Sequence, residues 1–386
     1  MSPRIALVSY SVKPRGGVVH TLSLAEALHR KGVDVRLVLL GDPEVPLFRP
    51  TPVPHTILRA PAPAGTTLDD RVFAAIDALE AGLTELVGQV DVVHTQDCIA
   101  ARAAARVREA GAPVTVVRTV HHVDDFTTRT LRDCQRAAIL EPDVVLVVSE
   151  QWRRILRSDP GREAAVVPNG VDPDRLPAPA PALRAALRAR VPAGRFVLLG
   201  VGGVEPRKGT VHAFRALARV KRERGPVATL VVVGGHSFQD HAAYREAALG
   251  MLPDLGLVPG EDVVLAGTVG EEELAGWFHT ADALCFPSVK EGWGLAVLEA
   301  LAAGLPVVAS DLPVFREYLT DGVDALLPPV GDHGAIADAV MRLLDEPRLR
   351  SDLASAGAAI LPRFTWEASA ARHLEIYDRL RVGSRV

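Results

Sequence analysis

Along the chain, short runs rich in Val, Leu and Ile alternate with longer stretches whose apolar residues recur at helical spacing. In the first half the short runs are Arg4–Ser9, Val33–Leu40, Asp91–His94, Val114–Thr119, Asp143–Ser149 and Ala165–Pro168. Between them lie amphipathic stretches such as Gly17–Arg30, Asp69–Val87 and Ile99–Ala110. Runs that are apolar at nearly every position read as strands buried on both faces. That means a parallel sheet with helices on either side.

The pattern then breaks. Asp172–Arg195 reads DPDRLPAPAPALRAALRARVPAGR, a Pro/Ala segment too stiff for a strand and followed by room for one short helix. After it the alternation restarts, with expected strands at Phe196–Gly200, Thr229–Gly234, Asp262–Ala266, Ala283–Pro287, Pro306–Ser310 and Ala325–Pro328. The expected architecture is α/β: two doubly wound, Rossmann-like domains, 1–172 and 196–365, joined by a linker at 173–195 and facing each other across a cleft. Ligands of such sheets bind beyond the carboxyl ends of the strands. A final amphipathic helix, about 366–381, is free to pack on its own domain or to return to the first.

Composition narrows the function little. The 386 residues are 48% hydrophobic and 23% charged, an ordinary globular balance, with length enough for two domains. A net charge of -4 gives no reason to expect nucleic acid as partner. Five of the 43 basic residues are lysine and 38 arginine, which reflects a GC-rich genome more than a function. Cys98, Cys134 and Cys285 are far apart and odd in number, against a disulfide framework or zinc knuckle and in keeping with a reducing cytosol. No apolar run reaches the roughly 18 residues that span a bilayer. The start does not read as a signal peptide. A cytoplasmic location follows as the expectation, with peripheral contact at the inner face of the membrane left open, and with it the oligomeric state.

Candidate chemistry gathers at strand ends. The strongest segment is PSVKEGWGLAVLEALAAGLPVVAS, Pro287–Ser310. Here a strand ends and a loop carries Gly292, Trp293 and Gly294. A helix runs from about Leu295 to a glycine stop at Gly304, with Pro306 beyond. Glycines at a helix N-terminus let backbone N–H groups approach an anion, and a diphosphate suits the place. Glu291 in the loop and Glu299 in the helix are carboxylates that can accept from paired sugar hydroxyls. Spacing alone leaves them equally as a loop residue and a solvated helix residue. In GVGGVEPRKGTVHAF, Gly200–Phe214, Arg207 and Lys208 stand at a helix start, where cations are disfavoured unless an anion is bound.

Three weaker segments follow. SVKPRGGVV places Gly16 and Gly17 at a strand-to-helix turn, but it is neither a GxGxxG fingerprint nor a Walker A motif. RTVHHVDDF sets His121 and His122 side by side. Neighbours on an extended segment point apart, so a shared metal is not expected, and a polar catalytic, a phosphate-contacting or a structural role remains. VVPNGVD ends a strand in an Asn169-Gly170 turn just before the linker.

Taken together, in this order, the segments resemble the retaining, family-four glycosyltransferases of GT-B fold (glycosyl transferases group 1), over essentially the whole chain. The markers are GGV near the start, T-x-H at Thr119–His121, VSE, PNGVD, G…RKG, EGxGLxxLEA and a late WE…Y helix. By this resemblance Glu291 contacts the transferred sugar and Glu299 the ribose. Backbone amides around Gly292, Trp293, Gly294 and Leu295 hold donor phosphate or sugar. Lys208 with Arg207 stabilises the departing diphosphate, and Gly16 and Gly17 cradle it from the other domain. Asn169 lies near the donor, and Gly267 to Val269 hold the base. His121 takes the place of the active-site histidine, with His122 as runner-up. One departure stands out: Gly202-Gly203 occupies the place of the usual Gly-Arg, so that Arg207 must substitute for a phosphate-binding arginine.

The resemblance implies a hexosyl transfer from a nucleotide sugar, UDP- or GDP-linked, with retention at the anomeric carbon. It calls for no cofactor and no metal, the nucleotide sugar being a co-substrate. The acceptor is a small metabolite, a lipid or a saccharide. Rival readings are a nucleotide-sugar epimerase, a catalytically weak nucleotide-sugar-binding protein, and a nicotinamide oxidoreductase, the last lacking its glycine fingerprint.

Overall fold

The computed structural model describes residues 3–62, 67–235 and 241–383. They form two compact units. One comprises the chain up to Gly170 together with the segment from Thr365 onward; the other is Val171–Phe364.

The first unit runs β1 (Ile5–Ser9), α1 (Gly16–Arg30), β2 (Val35–Gly41), β3 (His55–Arg59), α2 (Leu68–Thr84), β4 (Val92–Thr95), α3 (Cys98–Glu109), β5 (Thr115–Val120), α4 (Arg129–Leu140), β6 (Val144–Val147), α5 (Glu150–Ser158) and β7 (Ala165–Val166). Its seven strands lie in the order β3-β2-β1-β4-β5-β6-β7, every pair parallel. All five residues of β1 are buried, as a central strand covered on both faces requires.

The second unit runs α6 (Pro181–Arg188), β8 (Phe196–Val201), α7 (Thr210–Arg224), β9 (Ala228–Val233), α8 (Ala242–Gly250), β10 (Val263–Gly267), α9 (Glu271–Thr280), β11 (Ala283–Phe286), α10 (Leu295–Ala302), β12 (Val307–Ala309), α11 (His333–Asp345) and α12 (Pro347–Ile360). Its sheet, order β10-β9-β8-β11-β12, is again parallel. Its core packs α7 and α11 on one face, with Phe214 and Leu343 fully buried. Each such apolar side chain contributes about 1.5–3 kcal/mol.

Both sheets reverse direction in the middle, between β1 and β4 and between β8 and β11. The loops that leave the carboxyl ends of those four strands diverge there and open a crevice. The first crevice receives Gly16 and Gln96; the second receives Lys208 and Glu291.

Helix starts differ in their caps, and α6, α8, α9 and α12 have no side-chain cap among the described residues. α2, α3, α4 and α5 are each capped by the side chain of Thr67, Asp97, Thr128 or Ser149. α1, α7 and α10, which open at the glycine-rich segments, have no side-chain cap. Their first N–H groups are left for solvent or an anion.

Three elements differ from expectation. β3 is an extra strand: His55, Thr56 and Arg59 are exposed at the sheet edge, so the sequence HTILR lacks the apolar run that marks the inner strands. The expected strand 325–328 contributes isolated bridges instead, Leu326 with Val308 and Ala325 with Asp321. The expected linker is folded in part: Pro181 opens α6, and Leu183 and Leu187 pack over Gly276 of α9. The C-terminal helix α13 (Trp366–Gly383) lies on α1 of the first unit. No helix among the described residues is long and apolar enough to cross a membrane.

Candidate active site

In the second unit, the loop after β8 and the loop after β11 meet at a carboxylate. Glu291, 7% exposed, accepts three hydrogen bonds on Oε1: from Lys208 Nζ at 2.7 Å, Arg207 Nη1 at 3.0 Å and Ser288 Oγ at 3.0 Å. Burial by itself raises the Glu291 carboxyl. The charges of Lys208 and Arg207, with the donated hydrogen bonds, outweigh it and hold the group at about 2. The same burial draws Lys208 below the ordinary lysine value, with Glu291 opposing. Lys208 Nζ also sits 4.7 Å from the centre of the Phe286 ring. This sets two partly exposed cations on one buried carboxylate between adjacent strand ends, a costly feature for stability alone.

Around it, Leu295 begins α10 behind Gly292 and Gly294, and Glu299 is half-buried in the next turn. Gly267 closes β10, where its carbonyl accepts from Gly234 N–H at 2.8 Å, and Val269 follows in the loop to α9. That is the sheet edge, two strands from β8.

In the first unit, Gly17 and His121 come together: a Cβ added to Gly17 would lie 3.8 Å from His121 Cδ2. His121 Nε2 is 3.0 Å from Gln96 Oε1. Burial, then the neighbouring His122, pulls the ring down to about 3, so it is neutral at physiological pH. His122 instead faces Asp124, Nε2 to Oδ1 3.4 Å. Among the described residues no group of three or more His, Cys, Asp or Glu is placed to hold a metal ion.

Two of the expected donor-binding residues have buried side chains. Asn169 is 3% exposed, and its Oδ1 lies 2.8 Å from His20 Nδ1, so its side chain serves the interior of the first unit. The Trp293 ring is 4% exposed, packed on Tyr318 and Phe364 at centroid distances of 4.9 and 5.4 Å. Only the main chain of Trp293 is left for a ligand, and its carbonyl already accepts from Tyr318 Oη at 2.9 Å. The ring anchors the loop.

Comparison with known proteins agrees with this layout. The model described as Glycosyl transferases group 1 matches residues 188–359, and that described as Glycosyltransferase Family 4 matches residues 14–175. A phosphatidyl-myo-inositol mannosyltransferase of Mycobacterium leprae is 31% identical over 400 residues, covering 99% of both chains. The chain belongs to glycosyltransferase family 4. Another relative of this family-four glycosyltransferase, a D-inositol 3-phosphate glycosyltransferase of Xylanimonas cellulosilytica, is 31% identical, covering 97% of this chain and 96% of its own. Among solved structures, sucrose-phosphate synthase from Thermosynechococcus elongatus superposes with a TM-score of 0.81 at 24% identity, covering 98% of this chain and 99% of its own. Anabaena HepE in complex with UDP and glucose gives 0.78 at 20%, covering 97% and 99%. These two likenesses establish the GT-B fold.

The structure also explains why this glycosyltransferase has Gly202-Gly203. Gly202, at φ +124°, lies against the Lys208 stem: a Cβ there would be 2.5 Å from Lys208 Cε. Gly203, at φ +76°, would bring a Cβ within 2.4 Å of the Gly235 carbonyl oxygen. No side chain fits at 203 without a backbone shift, so the family's usual arginine is excluded sterically. Arg207 reaches Glu291 from the next turn instead. Sequence reasoning missed Ser288, Gln96 and His20. The first follows the strand-ending Pro287 directly, and His20 falls one helical turn after Gly17; Gln96 gave no local signal.

Proposed function

We propose that this glycosyltransferase moves a hexosyl unit from a UDP- or GDP-sugar to a hydroxyl of its acceptor, with retention at the anomeric carbon. The observation that carries the reading is the pairing of Lys208 and Arg207 on one buried carboxylate at a sheet's reversal point, beside an uncapped helix start. The second unit holds the donor: Glu291 toward the sugar, Glu299 toward the ribose, Gly267 and Val269 toward the base. The first unit carries His121 and Gly16-Gly17, which are assigned to the reaction by the family resemblance.

In the step itself, the bond between the anomeric carbon and the diphosphate oxygen breaks, and a bond to the acceptor oxygen forms on the same face. The acceptor proton passes to a donor phosphate oxygen. Lys208, Arg207 and the N–H groups that open α10 neutralise the charge that builds on the leaving diphosphate, which lowers the barrier where charge develops. Neutral His121 is suited to hydrogen-bond a sugar hydroxyl. Because two relatives carry inositol in their names, an inositol phosphate is the acceptor class to try first. The test is a screen of UDP-, GDP- and ADP-sugars for released nucleoside diphosphate, with and without inositol phosphate, using Lys208→Ala and Glu291→Ala as controls. Release from one donor, lost in both variants, supports the reading. No binding of any nucleotide sugar sinks it.

A further inference from the structure

Beneath His121 lies a cluster that the reaction just described gives no task. His20 of α1, His94 of β4, and His373 and Tyr377 of α13 are all 0% exposed. His94 is held at both ring nitrogens: Nδ1 lies 2.6 Å from Tyr377 Oη and Nε2 2.8 Å from Thr119 Oγ1. Thr119 precedes His121 by two residues on β5, so this chain of contacts fixes the strand end from which His121 projects. The ring of His121 is met by His20, edge to face, with centroids 4.6 Å apart and planes at 72°. His20 in turn packs against Trp366 at 5.3 Å and is oriented by Asn169.

Packing alone does not account for a histidine at position 20. Among the described residues its Nε2 is buried without a hydrogen-bond partner, and an orphaned polar atom is a cost that a leucine would not incur. What an imidazole supplies and a leucine does not is a fixed azimuth: one nitrogen bonded to Asn169, and hence one orientation of the edge presented to His121. Polar networks of this kind select a single arrangement of the groups they touch.

We infer that His20, held by Asn169, is a positioning residue for His121. This rests on His121 working at the reacting centre. It also gives Asn169 a role that contact with the donor does not supply. His20 touches no reacting atom in this account; it keeps the His121 ring in one rotamer above Gly17, where a small misplacement slows a reaction by about 10- to 100-fold.

The test uses the full chain labelled with ¹⁵N in its histidine rings. In His20→Leu the protein stays folded and keeps most of its affinity for nucleoside diphosphate, because Lys208, Arg207 and the start of α10 lie in the second unit and Gly16 and Gly17 are unchanged. The His121 ring resonances, assigned by their loss in His121→Ala, shift or broaden. The turnover number falls by about 10-fold or more with donor KM within about 2-fold. His20→Asn keeps an N–H where Nδ1 stood and recovers most of both. If His20→Leu fails to fold, Asn169→Ala, which removes only the orienting acceptor, is expected to change the His121 resonances in the same direction. Unchanged His121 resonances and unchanged turnover in a folded His20→Leu protein overturn the inference. Full activity in His121→Ala overturns the role of His121 instead, while the His121 spectrum of His20→Leu still decides whether His20 orients it.

Discussion

Glu291→Gln separates charge from shape at the centre of the second unit. Glutamine keeps an oxygen where Lys208 Nζ, Arg207 Nη1 and Ser288 Oγ now donate, at 2.7, 3.0 and 3.0 Å. It removes the negative charge that occupies both cations before any donor arrives. A diphosphate oxygen that takes over Lys208 must come within about 5 Å of that charge, where the repulsion is about 3 kcal/mol at an effective dielectric constant of about 20. Solvent and salt screen part of it. Loss of the counter-charge also drops the buried Lys208 further, which opposes anion binding at high pH. At pH 6.5 the first effect wins. UDP or GDP then binds about 10-fold more tightly to Glu291→Gln than to wild type, and the gain shrinks at pH 8.5. Turnover moves the other way, falling about 10-fold or more, because a charge-assisted contact to the sugar becomes a neutral one. Isothermal titration with each diphosphate at both pH values, beside initial rates, reads both halves. Weaker diphosphate binding in the variant at pH 6.5 would falsify the claim that Glu291 masks the two cations.

Other expectations follow from the same geometry. Lys208→Ala lowers turnover by about 100- to 1,000-fold, measured as diphosphate release, since one preorganised charge at the leaving group is gone. Gly203→Arg does not restore the family's usual arginine: a left-handed backbone and the nearby Gly235 oxygen reduce stability by about 2–4 kcal/mol, seen in the urea midpoint, with no rise in turnover. Burial holds His20, His94, His121 and His373 below the usual histidine value, His121 to about 3 and His373 to about 4. The unfolded chain therefore takes up protons first as pH falls. Stability is full above about pH 6.5 and is lost as pH drops toward 4. Urea titrations at pH 7, 6 and 5 should show a steepening decline, and a flat profile would contradict the neutral cluster.

Most of the fold was legible because the inner strands of a parallel sheet are apolar at nearly every position, as in ATLVVV of β9. β3 escaped because an edge strand need not be apolar, and His55 and Thr56 are exposed. Of the site, Glu291, Arg207 and Lys208 stood out as charges beside glycines, and the structure brings those three together. Their partner Ser288 did not, since a serine after a strand has no distinctive pattern. Asn169 and Trp293 both have side chains turned to the interior. The Asn169 side chain in its turn is engaged by His20, and the Trp293 ring in its glycine loop is buried under Tyr318. The histidine cluster was invisible because its members are scattered between positions 20 and 373 and meet only through α1, β4, β5 and α13.

The central claim is that Lys208 leaves Glu291 to hold the donor's diphosphate. The most direct measurement is the ³¹P spectrum of bound UDP or GDP in wild type and in Lys208→Ala. The β-phosphate resonance is expected to shift on binding to the wild type and to lose most of this shift in the variant, while the α-phosphate changes less. An identical β-phosphate shift in both proteins would contradict it and place the diphosphate elsewhere.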